Sequence, residues 1–199
     1  MRDTTLAGAV IGRDTLLKQA ALVLGGTMFI ALAAQVSIPF FPVPMTLQSL
    51  AILIVGLTFG ARLGAVTLVA YLAEGAMGLP VFANGASAPA LLGPSAGFLY
   101  GFVLMAWLAG LSADRGLARG VVSTSIVTLV VSAILYIPGG AWPMAVAEVS
   151  GITGKWVGSS MDVVWTYYVA PFLLGDVVKS VIAAMVVTGG WKALQARKG

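Results

Sequence analysis

Residues 19–61 read QAALVLGGTMFIALAAQVSIPFFPVPMTLQSLAILIVGLTFGA, 43 consecutive positions with no charged side chain, bounded by Lys18 and Arg62. One membrane-crossing helix needs about 20 apolar residues. The run therefore holds two spans and a turn between them. The turn is Pro39-Phe40-Phe41-Pro42-Val43-Pro44, because proline removes backbone donors and biases its preceding residue away from helix. This predicts span 1 over 19–38 and span 2 over 46–60.

The rest of the chain has the same character. Of its 199 residues 59% are hydrophobic and 9% are charged, and its mean hydropathy is +1.01. A soluble surface needs about 25–35% charged residues, so a soluble domain is excluded and one polytopic membrane domain over 1–199 is predicted. Further uncharged runs cover 75–113 and 120–147. Span 3 is predicted over 63–73, span 4 over 98–112, span 5 over 121–137 and span 6 over 167–188, ending at Gly189-Gly190. Residues 75–97, rich in Gly, Pro, Ser and Asn, read as irregular backbone. Residues 139–161 read as a mixed segment with a short interfacial helix near Trp156. The fold class is thus an all-α membrane protein of six spans in the cytoplasmic membrane.

Charge placement orients these spans. With both termini inside, cytoplasmic segments carry nine of the 11 basic residues (Arg2, Arg13, Lys18, Arg62, Arg115, Arg119, Lys192, Arg197 and Lys198), external segments carry Lys155, and Lys179 lies within span 6. Cytoplasmic loops are enriched in Lys and Arg, so N-in/C-in is predicted. The same bias explains the formal charge of +4 without nucleic acid. Lys18 with the following apolar run resembles a cleavable signal peptide. The stretch before Lys18 is long for that role and the apolar run reaches Ile38, which favours a retained span.

Spans 2 and 3 are short, and irregular backbone at membrane depth is tolerated only where it is buried in protein or lines a cavity. Short, Gly/Pro-interrupted spans point to a binding site. Here it opens outward between the 39–44 turn, the 75–97 loop and the start of span 6. Asp176 and Lys179 inside span 6 share one helix face. Insertion scales assign about 2.5–3.5 kcal/mol to such a residue at the bilayer centre. With Pro171 in the first helical turn, Asp176 lies about 7–8 Å along the helix axis. A self-neutralising lock between helices competes with a polar ligand site, and intramembrane ionisable groups favour the ligand.

Gln48 and Asn84 belong to the same outer side, and Asn84 also suits a turn before Gly85. Phe82, Tyr100, Trp165, Tyr167 and Tyr168 are candidate aromatic walls, although Trp and Tyr also form interfacial belts. Ala21 with Gly25 has the small-x-x-x-small spacing that lets membrane helices approach closely, within a chain or between chains. This face is a candidate contact for a partner helix or for a second copy of the chain. With Cys 0 and His 0, no disulfide, Cys/His metal site or Ser-His-Asp triad is available. No HExxH exists, and Gly154-Lys155 is followed by Trp156, so ATP hydrolysis through a Walker A loop is excluded. No cofactor is expected.

Four ordered motifs carry a resemblance over nearly the whole chain: residues 42–48 (PVPMTLQ), 71–82 (YLAEGAMGLPVF), 93–102 (GPSAGFLYGF) and 171–179 (PFLLGDVVK). They are similar to the BioY family, the biotin-specific substrate-binding (S) components of energy-coupling-factor (ECF) vitamin transporters. The resemblance implies a compact six-helix S-component with its vitamin pocket near the external face. Its implied partners are biotin, membrane lipid, an ECF transmembrane subunit and ATPase subunits. It implies ligand contact by Asp176, Lys179, Phe82, Asn84, Thr46 and Gln48, and docking at Ala21 and Gly25. Ser95-Ala96 stands where the family often has Thr-Gly. Biotin's ureido ring offers two N–H donors and one carbonyl, matching Asp176 and Asn84 as acceptors and Lys179 as donor, with Gln48 the candidate for the carboxylate. The rival readings are an S-component for another heterocyclic vitamin and a membrane-embedded enzyme using Asp176.

Overall fold

The computed structural model describes residues 5–11 and 15–197. Arg2, Arg13 and Lys198, used above to orient the chain, lie outside the described residues. Among the described residues seven helices follow in order: α1 (Leu6–Ile11), α2 (Leu16–Gln35), α3 (Gln48–Phe59), α4 (Ala61–Ala76), α5 (Ala96–Asp114), α6 (Val121–Val149) and α7 (Met161–Ala196). Four of them, α2, α5, α6 and α7, are long and apolar enough to cross a membrane. The short α3 and α4 have 12 and 16 residues. Helix α5 is the axis of the bundle, packing against α3, α4 and α6, and α7 closes the bundle against α3 and α6.

Between α2 and α3 the proline-rich turn forms a hairpin of two two-residue strands, β1 (Ser37–Ile38) and β2 (Met45–Thr46), antiparallel with Ser37 opposite Thr46. Its base is closed by Leu47 N–H donating to the Val36 carbonyl at 3.1 Å. The loop from Met77 to Ser95 holds two short 3₁₀ turns, Ala83–Gly85 and Ala88–Leu92, and is otherwise irregular as predicted.

Two helices outrun their predicted bounds by six residues or more. Pro138-Gly139-Gly140 reads as the end of span 5, yet α6 continues through it to Val149, with a π turn at Trp142–Val146 that accommodates Pro143. Membrane helices tolerate such breakers where neighbouring elements and local 3₁₀ or π adjustments re-satisfy the freed backbone groups. No helix forms near Trp156, which is in a turn and packs beside Trp142, Ala96 and Ala147. In α7 the helix begins six residues earlier than predicted, and a π turn (Trp165–Val169) and a 3₁₀ turn (Ala170–Phe172) absorb Pro171. Beyond these turns the regular α-helix starts at Leu173, and Asp176 lies in its first turn. Gly189-Gly190 does not end the helix. Gly190 instead lets the Leu6 side chain of α1 pack close against it, and α7 runs on to Ala196.

Small residues set the interhelical distances. A Cβ on Gly97 would sit 2.3 Å from the Pro138 carbonyl oxygen, and one on Gly56 would sit 2.6 Å from that of Ala106. The turn from α3 to α4 uses Gly60 at φ +84°, a left-handed conformation that suits glycine. There the Asp114 carboxylate of α5 accepts from Ala61 N–H at 2.9 Å, satisfying an orphan donor at the start of α4.

Gly97→Val forces α5 and α6 apart, and overpacking of this kind costs about 1–3 kcal/mol or more. Its melting temperature in detergent should fall by several degrees. Gly189→Val, where no neighbour lies within 4 Å, should melt close to the parent.

Candidate functional site

The loop over residues 77–95 needs partners for its peptide groups, because buried backbone donors and acceptors must be paired. Side chains from four helices supply them. Gln35, at the end of α2, donates to the Phe82 carbonyl at 3.1 Å and accepts from Gly85 N–H at 3.0 Å. Tyr71 of α4 donates to the Val81 carbonyl at 2.7 Å. Tyr100 of α5 donates to the Leu91 carbonyl at 2.8 Å, and Trp142 of α6 to the Gly93 carbonyl at 2.9 Å. Phe82 is buried edge-on to Tyr71, with ring centroids 5.3 Å apart. It occupies the space where Gly75 lacks a side chain, since a Cβ there would be 2.1 Å from its ring.

This loop, the 37–46 hairpin and helices α3, α5, α6 and α7 line a half-open cavity of about 470 Å³. That is the size of a small-molecule site, about 300–1,000 Å³. Apolar walls come from Phe82, Phe98, Leu99, Phe102, Leu135 and Phe172, and polar atoms from Thr46, Gln48, Ser49, Asn84, Tyr136, Asp176 and Lys179. Asp176 and Lys179, on one face of α7, reach the cavity together. Lys179 Nζ lies 3.6 Å from Asp176 Oδ1, with both side chains at least 86% buried. The pair is not a closed lock. Tyr136 of α6 donates to Asp176 Oδ2, and Lys179 donates to Ser49 Oγ of α3 at 3.1 Å.

The other predicted site residues divide. Gln48 lines the cavity while its amide donates to Tyr71 Oη at 2.7 Å. Thr46 lines the cavity and accepts from Gln48 N–H at 3.2 Å. Asn84 is both cavity wall and turn residue. It adopts φ +57°, which asparagine tolerates, and its Oδ1 accepts from Ser37 at 2.6 Å. Tyr100 is not among the cavity-lining residues. It stands behind the loop, against Trp142, and anchors the 3₁₀ turn at Ala88–Leu92. Trp165 and Tyr167 are exposed and Tyr168 is buried, and none of the three lines the cavity. Ala21 and Gly25 face outward on α2 with Leu24, Met28 and Leu32, and Gly25 meets open space. Among the described residues no group of three or more metal-ligating side chains occurs.

Sequence reasoning missed Tyr136, Ser49, Gln35 and the phenylalanines of α5 and α7. One signal was available. Thr124, Thr128, Ser132 and Tyr136 recur every fourth residue, a hydroxyl stripe on one face of α6, and the structure buries the first three completely or nearly so. For Ser49 and Gln35 the sequence alone carries no such periodicity.

Comparison with known proteins agrees with this architecture. The sequence model of the BioY family matches residues 4–196. The chain is 32% identical over 178 residues to a biotin transporter BioY of Rhizobium etli, covering 84% of this chain and 90% of the relative. It is 32% identical over 173 residues to one of Thermotoga maritima, covering 80% and 88%. Among solved structures, the S-component for biotin from an ECF-type ABC transporter shares the fold with a TM-score of 0.65 at 24% identity, covering 92% of each chain.

Gln35→Ala removes two bonds that hold the 82–85 turn, each contributing about 1 kcal/mol. Amide hydrogen exchange over residues 81–92 should accelerate in this variant while α5 and α6 keep their protection. Unchanged exchange there would show that α2 does not hold the loop.

Proposed function

The chain belongs to the BioY family, and we infer that it captures biotin at the outer face of the cell membrane as the substrate-specific component of an ECF-type transporter. A separate ATPase and transmembrane module supplies the energy for release inward. The observation that carries this reading is an acid–base couple held open on the wall of an otherwise apolar, ligand-sized cavity.

The chemistry matches biotin group by group. A carboxylate has about four lone-pair positions, and Asp176 has committed one oxygen to Tyr136, which leaves acceptors for ureido N–H groups. Lys179 is the donor for the ureido carbonyl. Asn84, at the tip of the loop, is a further polar contact, with Thr46 and Gln48 on the α3 side. Phe82, Phe98, Phe102 and Phe172 suit the bicycle and the aliphatic chain, as apolar and aromatic walls do in small-molecule sites generally.

Orientation follows from charge. Lys18, Arg62, Arg115, Arg119, Lys192 and Arg197 lie at or beyond helix ends on the side where α1 packs, whereas Lys155 lies beyond α6 on the cavity side. The positive-inside tendency puts the first group in the cytoplasm and the cavity outside. The exposed α2 face at Ala21 and Gly25 is the docking surface for the transmembrane subunit, because small residues admit close helix approach.

Isothermal titration in detergent should show tight one-to-one binding of biotin to the parent protein. Asp176→Asn should lose at least about 100-fold in affinity, since a hydrogen bond to a charged group contributes about 1.5–3 kcal/mol and several are removed together, and it should still melt cooperatively, at a lower temperature because Lys179 loses its counter-charge. Parent-like affinity in that variant would remove Asp176 from the site. Gly25→Phe should retain biotin binding yet fail to co-purify with the ATPase and transmembrane subunits. Normal assembly of that variant would move the docking face elsewhere.

A further inference from the structure

Asp176 and Lys179 each make one bond that leads away from the other. The Tyr136 hydroxyl on α6 donates to Asp176 Oδ2. Lys179 Nζ lies 3.1 Å from Ser49 Oγ on α3, closer than its 3.6 Å to Asp176 Oδ1. A lysine and a carboxylate free to meet close to about 2.7–2.9 Å. This pair is therefore held ajar by hydroxyls from two other helices. We propose that Tyr136 and Ser49 are positioning residues for the ligand, holding the Asp176 acceptor and the Lys179 donor side by side and out of close contact, so that the N–H and C=O edge of a neutral cyclic urea meets both. This rests on the biotin-binding reading and adds to it a basis for selectivity.

The count of donors and acceptors supports the assignment. An ammonium has three N–H donors. Ser49 and Asp176 face two of them, and the third is left for a ligand carbonyl. With Oδ2 held by Tyr136, the remaining carboxylate lone pairs are left for ligand N–H groups. The site thus presents a donor beside an acceptor at set positions. A urea edge, N–H next to C=O, satisfies both. A guanidinium edge offers N–H groups only and brings a positive charge toward Lys179, and like charges in a buried site repel. Without either hydroxyl clamp the pair collapses on itself. Biotin then loses both contacts, while a guanidinium ligand, which uses the carboxylate alone, loses less.

The test is titration calorimetry of the detergent-solubilised protein with biotin and with 2-iminobiotin, whose ring carries a guanidinium at neutral pH. The parent should prefer biotin. Tyr136→Phe should weaken biotin about 10- to 100-fold, and Ser49→Ala should weaken it by a smaller factor. In both variants the preference for biotin over the imino analogue should shrink, and Ser49→Thr, which keeps the hydroxyl, should restore it. Should Tyr136→Phe fail to fold, the Ser49 pair still decides. Undiminished biotin affinity in the variants overturns the proposal, and so does an equal loss for both ligands, which marks a packing role alone. A parent protein that does not bind biotin would strike the functional reading itself, whereas a binding parent with unaffected variants strikes only this inference.

Discussion

An aspartate and a lysine one turn apart, at the start of the regular α-helix of α7, are the fixed point of this structure. Taking two such ions out of water has an effective cost of several kcal/mol for each. Their mutual attraction at 3.6 Å is not the whole compensation, since each has a further partner on a different helix. Tyr136 ties the carboxylate to α6, and Ser49 ties the ammonium to α3. The charged couple therefore joins three helices around the cavity and leaves hydrogen-bonding capacity directed into it. A dry, self-satisfied lock would have no such spare capacity.

The second constraint is backbone solvation. Making α3 and α4 short opens space at one end of the bundle, and the chain fills it with a hairpin and a loop instead of more helix. Those segments have peptide groups that no helix satisfies. Gln35, Tyr71, Tyr100 and Trp142 meet several of them, which fixes the loop as a cavity wall and holds Phe82 and Asn84 in the cavity lining. The same requirement explains the tight packing elsewhere. Gly56 and Gly97 bring α5 close to α3 and α6, so that side chains on different helices reach shared partners.

The elements differ in how far they were legible. Uncharged runs located the apolar helices, four of which are long enough to cross a membrane, and the proline cluster at 39–44 located the hairpin. Helix ends were harder to read. Pro138 reads locally as the end of a helix and Pro171 as the start of one, yet π and 3₁₀ turns extend α6 and α7 past them. For the site, the two charges in α7 stood out because charge is rare in a span. Tyr100 was misplaced because an aromatic near a glycine-rich loop can face the cavity or back the loop, and only packing against Trp142 chooses. Ser49 was invisible because nothing in Gln48-Ser49-Leu50 says which helix its hydroxyl meets.

By itself the sequence determined the membrane class, the positions of the apolar runs, the charge asymmetry between the two sides and the presence of an ionisable couple where few belong. These are properties of single segments, set by the free energy of transferring each side chain from water to hydrocarbon. Tertiary structure decided how long α6 and α7 run, which face of each helix meets the cavity, and which hydroxyls hold the couple open. Those outcomes depend on contacts between residues far apart in the chain, such as Ser49 with Lys179 and Tyr136 with Asp176, and on neighbours that re-satisfy a backbone interrupted by proline. No single segment contains that information, because hydrogen-bond geometry and close packing exist only once the helices are assembled.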